Sequence, residues 1–381
     1  MEVSIENNVP EHHFPIKLNL ENETDPIRSL KVQIPKSETE DDPLPFQEIL
    51  VNKEQISSAL SAEETIFGFS GLKVYDEIHI FDVPIKFRGT QHIHTVRSGS
   101  SSSPPLVLIH GYGGSSVTFY KMIKDLSVKF QVFCIDLLGM GLSSRPKFEI
   151  YNTEECIAFF VDSIEEWRKA LKLDQITLCG HSLGGYLSVN YALKYSSVIK
   201  RLVLMSPAGI NGADDVNFEE YLKHSGFMRR QFLKLASNLW HKKYTPNKLY
   251  QKTGFLGRYV LKLYITKHWS STKAEAKPLQ SYFDKILSMP ESSEAALHML
   301  LKLPRARAVL PMEEYIRKNL SKINIVFIYG DRDWMDSSGA SRLHKELPNV
   351  DFHLIRGAGH HANMDQPKEV CKIMVADIKK K

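Results

Sequence analysis

The five residues Gly180-His181-Ser182-Leu183-Gly184 constrain this chain more than any other stretch. The run before them, Gln175 to Cys179, is short, apolar and β-branched, and reads as a buried strand. The run after them, Tyr186 to Tyr195, reads as a helix. A Gly-x-Ser-x-Gly between a strand and a helix demands a sharp turn that strains the serine backbone and holds its Oγ out. Gly180 and Gly184 are needed because side chains there would strike the neighbouring strand and helix. The turn also sets Ser182 at a helix N-terminus, where free N–H groups and the dipole favour developing negative charge.

Around this turn the chain alternates strands and helices. Leu106–Ile109, Val132–Ile135, Leu202–Met205, Ile323–Tyr329 and Val350–Ile355 read as strands. Helices are expected over Thr153–Leu171, around Ala340–Leu347, and from about Pro367 to Ile378. Such alternation implies right-handed crossovers and an α/β fold with a mostly parallel twisted sheet flanked by helices. Ahead of it, Asn52–Ala62 can start a helix, while Phe67–Phe81 and Gln91–Val96 look like short antiparallel strands. His92 and His94 share one face of the second of these. With no third ligand nearby in sequence, they read as solvent-facing residues and not as a metal pair.

The rhythm stops between Gly212 and about Leu320, where helical patterns dominate and no good strand is visible. The expected organisation is an acidic flexible arm over residues 1–50, a core over 51–211 and 321–381, and a helical cap inserted over 212–320. From Tyr221 to Gln280 the cap holds thirteen Lys and Arg against one acid, Glu275, with Trp240, Trp269 and several Phe and Tyr interleaved. Met228, Phe232, Leu235 and Leu239 fall at helical spacing beside Arg229, Arg230 and Lys234, a pattern suited to an anionic lipid surface.

A net charge of +5 over 381 residues gives no support to a nucleic-acid partner. The four cysteines lack metal or redox spacing, and read as buried apolar residues in a reducing compartment. No run of about 20 apolar residues is present to span a bilayer. The acidic start, Met1-Glu-Val-Ser, has neither the pattern of a secretory signal nor that of a mitochondrial presequence. No metal and no cofactor are expected.

Ser182 needs a base, an acid to orient it, and donors for an oxyanion. In a fold of this kind the chain order is Ser, acid, His. His360 closes Gly357-Ala-Gly359 after the last strand and is the expected base. Asp333, in Gly330-Asp-Arg-Asp333-Trp-Met-Asp336, is the expected acid, with Asp336 and Asp331 as alternatives that one or two residues of loop slack would bring in. The N–H groups of Tyr112, in His110-Gly-Tyr-Gly-Gly-Ser, and of Leu183 are the expected oxyanion donors. Asp136-Leu-Leu-Gly139-Met-Gly141 reads as a structural turn, since its glycine spacing is poor for a dinucleotide site. His360-x4-Asp365 matches an acyltransferase pattern, but Asp365 also suits a helix cap before Pro367.

In order, HGYGGS, DLLGMGLSSRP, GHSLGG, YGDRDWMD and GAGHHANMDQP resemble the α/β-hydrolase superfamily. More narrowly, Val161-Asp-Ser-Ile-Glu-Glu-Trp167-Arg, Leu204-Met-Ser-Pro207-Ala-Gly209 and the doubled His360-His361 resemble the abhydrolase branch of lysophospholipases, N-acyl-phospholipid lipases, cardiolipin deacylases and lysophosphatidic acid acyltransferase-like proteins. The resemblance covers about residues 65 to 381. It implies an α/β-hydrolase fold and a serine esterase or lipase acting on the acyl ester of a phospholipid or lysophospholipid. It implies a cytoplasmic protein peripheral to an intracellular membrane or lipid droplet. A lysophosphatidic acid acyltransferase, and a lipid-surface regulator of another lipase, are the alternatives.

Overall fold

The computed structural model describes residues 49–211, 226–302 and 307–376. The acidic arm up to residue 48 lies outside them, as do the side chains of Met228 and Phe232. The strands are β1 (Ile78–Lys86), β2 (Thr90–Ser98), β3 (Pro105–Ile109), β4 (Gln131–Ile135), β5 (Ile176–His181), β6 (Ile199–Met205), β7 (Asn324–Gly330) and β8 (Val350–Ile355). They form one sheet in the order β1-β2-β4-β3-β5-β6-β7-β8. β1 and β2 pair antiparallel, and so do β2 and β4; every other neighbour is parallel. The protein therefore has an α/β-hydrolase fold, with helices on both faces of a mostly parallel sheet.

The central strands β3, β4 and β5 are buried along nearly their whole length. This is what a parallel sheet covered on both faces requires, and it explains why their sequences are apolar runs without alternation. Helix α1 spans Lys53–Gly68, α2 Thr153–Ala170 and α3 Leu183–Lys194. Asn152 starts α2 by accepting the Glu155 N–H at 2.8 Å. Phe160, Val161, Ile164 and Trp167 turn inward from α2.

Two expectations fail at the N-terminal side. Phe67 belongs to α1 and not to a strand, because Ala59, Ala62, Ile66 and Phe67 make one buried helical stripe. His94 does not face solvent. It is 2% exposed, because α1 covers its strand face with Glu63. His94 Nε2 lies 2.8 Å from Glu63 and its Nδ1 2.8 Å from Asp82, its cross-strand neighbour. Burial alone would push this imidazole towards its neutral form, but the two carboxylates outweigh it and hold its pKa well above 6.5. Burial raises the Glu63 pKa, opposed by His94 and by the Ser116 hydroxyl, which donates to Glu63 at 2.9 Å.

Between β6 and β7 lie α4 (Phe227–His241), α5 (Pro246–Thr253), α6 (Phe255–His268) and α7 (Lys273–Leu287). A two-residue antiparallel pair, Leu301–Lys302 with Arg307–Ala308, is also present, although no strand was expected there. Helix α7 packs on α1, where Gln55 Nε2 donates to the Lys285 carbonyl at 2.6 Å. After β7 come α8 (Ser338–Glu346) and, at the end, α9 (Pro367–Ala376).

Candidate active site

Ser182 joins β5 to α3 with φ 54° and ψ −117°, a strained conformation for a residue with a side chain. The strain persists because its surroundings fix it. The Ser182 N–H donates to the Met205 carbonyl at 3.0 Å, and its own carbonyl accepts the Ala208 N–H at 3.0 Å. The flanking glycines leave no room for a side chain. A Cβ on Gly180 would lie 2.2 Å from the Gly184 carbonyl oxygen, and one on Gly184 2.4 Å from that of Ile109.

The structure brings His360 and Asp333 to this serine. His360 Nε2 lies 3.0 Å from Ser182 Oγ, and His360 Nδ1 lies 3.0 Å from Asp333 Oδ1. Because a carboxylate only accepts, Nδ1 carries the proton and Nε2 turns its lone pair to the serine hydroxyl. Asp333 is 2% exposed at its side chain, and its Oδ1 also accepts the Met335 N–H at 2.9 Å. Burial pushes the Asp333 pKa up, but the His360 contact, the nearby Ser206 hydroxyl and the Met335 N–H together bring it below the ordinary 3.8. The two alternative acids are occupied elsewhere: Asp336 accepts the Ser338 N–H at 3.0 Å and Asp331 the Gly357 N–H at 2.8 Å.

Asp365 does not meet the His360 ring. Its Oδ2 accepts the Gly359 N–H at 2.8 Å, so it shapes the loop that presents the histidine. Leu183 opens α3, where the first N–H groups have no acceptor within the helix. Tyr112 occupies a turn closed by the Gly114 N–H on the Gly111 carbonyl at 3.0 Å. That turn lies against the elbow, since a Cβ on Gly111 would stand 2.9 Å from Ser182 Cβ. Asp136 is the structural residue of its turn, accepting the Ser116 N–H at 2.6 Å and the Leu142 N–H at 2.8 Å.

Three neighbours have contacts that the sequence did not specify. His181, within the Gly-x-Ser-x-Gly itself, donates from Nε2 to the His360 carbonyl at 2.8 Å. Burial, then the proximity of His360, lowers its pKa to about 3, so it is a neutral strut. The Trp334 ring covers His360 with centroids 4.7 Å apart. His361 turns to the cap, where its Nε2 meets the Tyr264 hydroxyl of α6 at 2.8 Å. The local signals for these were an aromatic after the acid and the doubled histidine.

The other end of the cap is tied beside Tyr112. The Tyr112 hydroxyl donates to Asn247 Oδ1 at 3.3 Å, and Asn247 Nδ2 donates to Glu294 at 3.4 Å. Glu294 pairs with Arg145 at 2.9 Å, both side chains being at most 3% exposed.

A buried Ser-His-Asp geometry at the elbow of this sheet defines a class, and the wider comparison agrees with it. Residues 104–367 match the family described as alpha/beta hydrolase fold, and the chain belongs to that family. Among its relatives, a probable 1-acylglycerol-3-phosphate O-acyltransferase of Oryza sativa subsp. japonica is 33% identical over 72% of this chain and 67% of its own length. A 1-acylglycerol-3-phosphate O-acyltransferase of Arabidopsis thaliana is 35% identical over 74% and 69%. The 1-acylglycerol-3-phosphate O-acyltransferase ABHD5 of Rattus norvegicus is 32% identical over 71% and 75%. In three dimensions the chain is similar to carboxylesterase CesB of Bacillus subtilis, with a TM-score of 0.60 and 19% identity over 86% of this chain and 99% of that one. It is also similar to a bacterial membrane phospholipase A, with a TM-score of 0.61 and 19% identity over 86% and 91%. At these identities the solved structures speak to the fold.

Proposed function

We propose that this protein is a serine acyl-ester enzyme that takes a fatty acyl group from a phospholipid or lysophospholipid through an acyl-Ser182 intermediate. The observation that carries the reading is the 3.0 Å spacing on both sides of the His360 ring, to Ser182 and to Asp333. His360 Nε2 takes the Ser182 proton as Oγ attacks the ester carbonyl. The resulting oxyanion is held by the N–H groups of Leu183 and Tyr112, each such donor contributing about 3 kcal/mol. Asp333 steadies the imidazolium and fixes its tautomer. The proton then passes from His360 to the leaving glycerol oxygen, and the acyl chain remains on Ser182. Water, activated by the same imidazole, releases a fatty acid and regenerates the serine.

A second reading is favoured by the names of the relatives in rice, Arabidopsis and rat. In it the free hydroxyl of 1-acylglycerol-3-phosphate takes the place of water, and the acyl group is transferred. Both readings share the acyl-enzyme, because Asp365 is held on a backbone N–H and offers His360 no second partner. The working location is an intracellular lipid surface.

The test is mass analysis of a phospholipid panel, with and without added 1-acylglycerol-3-phosphate, for wild type and Ser182→Ala. The variant should neither deacylate nor transfer. Equal product from folded variant and wild type would remove Ser182 from the chemistry.

A further inference from the structure

Helix α6 carries apolar residues on the wrong side. Its inward face is accounted for by Ile265, which is fully buried. Yet Phe255 is 83% exposed, Leu256 60%, Val260 57% and Leu263 53%, with Tyr259 and Tyr264 also exposed. Fifteen large apolar side chains are exposed among the described residues, and six of them fall within these ten positions. The spacing of 255, 256, 259, 260 and 263 puts five on one face of the helix. Scattered exposed apolar residues need no explanation, but a contiguous row marks a surface that something covers.

Charge says what covers it. From Pro246 to Ala274 the chain holds six Lys and Arg and no Asp or Glu. Lys262 and Lys267 lie on α6 itself and are exposed. Arg258 of this helix is paired with Asp284 at 2.8 Å, so the bases that border the apolar row are Lys262 and Lys267, and such a border matches a layer of acyl chains under anionic headgroups. No helix among the described residues is long and apolar enough to cross a membrane, so the contact lies along the surface. The basic helix anticipated from the sequence, α4, offers less: of its described apolar residues Leu235 is exposed, while Trp240 packs on His298 with ring centroids 4.4 Å apart.

Position says what the contact is for. The C-terminal end of α6 reaches the site through Tyr264, whose hydroxyl meets His361, the neighbour of His360 in sequence. We propose that the outward face of α6, from Phe255 to Leu263 with Lys262 and Lys267, is the surface by which this protein docks in the headgroup layer of an anionic phospholipid bilayer. Docking there sets the mouth of the Ser182 site against the lipid. The purpose rests on the acyl-ester reading above; the docking itself does not.

The experiment is flotation of the full chain with vesicles of phosphatidylcholine alone and with added phosphatidylglycerol. Wild type should float with the anionic vesicles, and less so as salt is raised. Leu256→Ser with Leu263→Ser should weaken partitioning by about tenfold for each side chain removed from the leaflet. Phe255→Ser alone gives the same direction with little risk to folding. Leu354→Ser, equally exposed but on β8, should leave binding unchanged. Hydrolysis of a soluble short-chain ester should be the same in all four proteins. Flotation is read without turnover, so an inactive enzyme that still floats leaves docking standing and removes only the catalytic reading. Three results would overturn the proposal: wild type that stays with the buffer, α6 variants that float as wild type does, or a wild-type dimer by light scattering that the α6 variants break while vesicle binding is absent.

Discussion

Replacing His94 by Gln tests whether the polar cluster under α1 holds the N-terminal side of the fold together. His94 and Glu63 are almost wholly buried, and Asp82 is about a third open. Removing the imidazolium leaves Glu63 charged in the interior with the Ser116 hydroxyl as its remaining hydrogen-bond donor of the original pair. Breaking a buried pair in this way costs about 3–5 kcal/mol. The pH dependence has a definite sign. The folded protein keeps a proton on His94 that the unfolded chain releases above 6.5, because the folded pKa is raised well above that value. Stability from this group is therefore complete below pH 6.5 and falls as pH rises towards the folded pKa, by about 1.4 kcal/mol per pH unit. The raised Glu63 pKa acts with the same sign above 4.5. The lowered Asp82 pKa has the opposite sign, but its contribution is lost only as pH falls below 3.8. Urea unfolding at mildly acid and mildly alkaline pH measures this directly, and hydrogen exchange of α1 amides localises it. Wild type should lose stability across that window, and the double variant His94→Gln with Glu63→Gln, which lacks both groups, should not. Adding Glu63→Gln to His94→Gln should recover part of the loss, since no unpaired charge remains. Parallel pH profiles for wild type and the double variant, or a loss under about 1 kcal/mol in His94→Gln, would refute the reasoning.

Asp333→Asn should lower kcat on a lipid ester by about 10³–10⁴, whereas Asp336→Asn should change it little; equal effects would mean that the acid is misassigned. Asp365→Ala should reduce hydrolysis and any acyl transfer by the same factor, because it loosens the Gly359 turn that carries His360; loss of transfer alone, measured with added 1-acylglycerol-3-phosphate, would give Asp365 a direct part. Gly184→Ala puts a methyl carbon 2.4 Å from the Ile109 carbonyl oxygen, so Tm should fall by several degrees along with activity; an unchanged melting curve would show that the elbow can yield.

What could be read in advance was local. Strands β3 to β5 and helix α2 announced themselves through burial period and capping residues, and Gly180 to Gly184 through the collisions that glycine avoids. The choice among Asp331, Asp333 and Asp336 was not local. Each carboxylate takes a backbone N–H, and which one faces the imidazole depends on how a six-residue loop folds over β7 and β8. Glu63 gave a sign that could have been used: an acid in line with Ala59, Ala62 and Ile66 must have a buried partner. Its partner, His94, is 31 residues away, and only the sheet brings the two together. The outward row on α6 was hidden for a different reason, since apolar periodicity marks a face to be covered without saying whether protein or lipid covers it.

The chain of contacts from Tyr112 through Asn247 and Glu294 to Arg145 has a mechanical meaning. It pins the cap at the root of α5, next to the loop that carries Tyr112, with an ion pair sealed from water. Helix α7 adds a second attachment where it packs on α1, so the cap is held firmly at its base. If it swings to admit a bulky chain, the contacts that must give at the far end are the Tyr264 hydroxyl on His361 and the Trp269 ring, 5.3 Å from the same imidazole, where α6 ends.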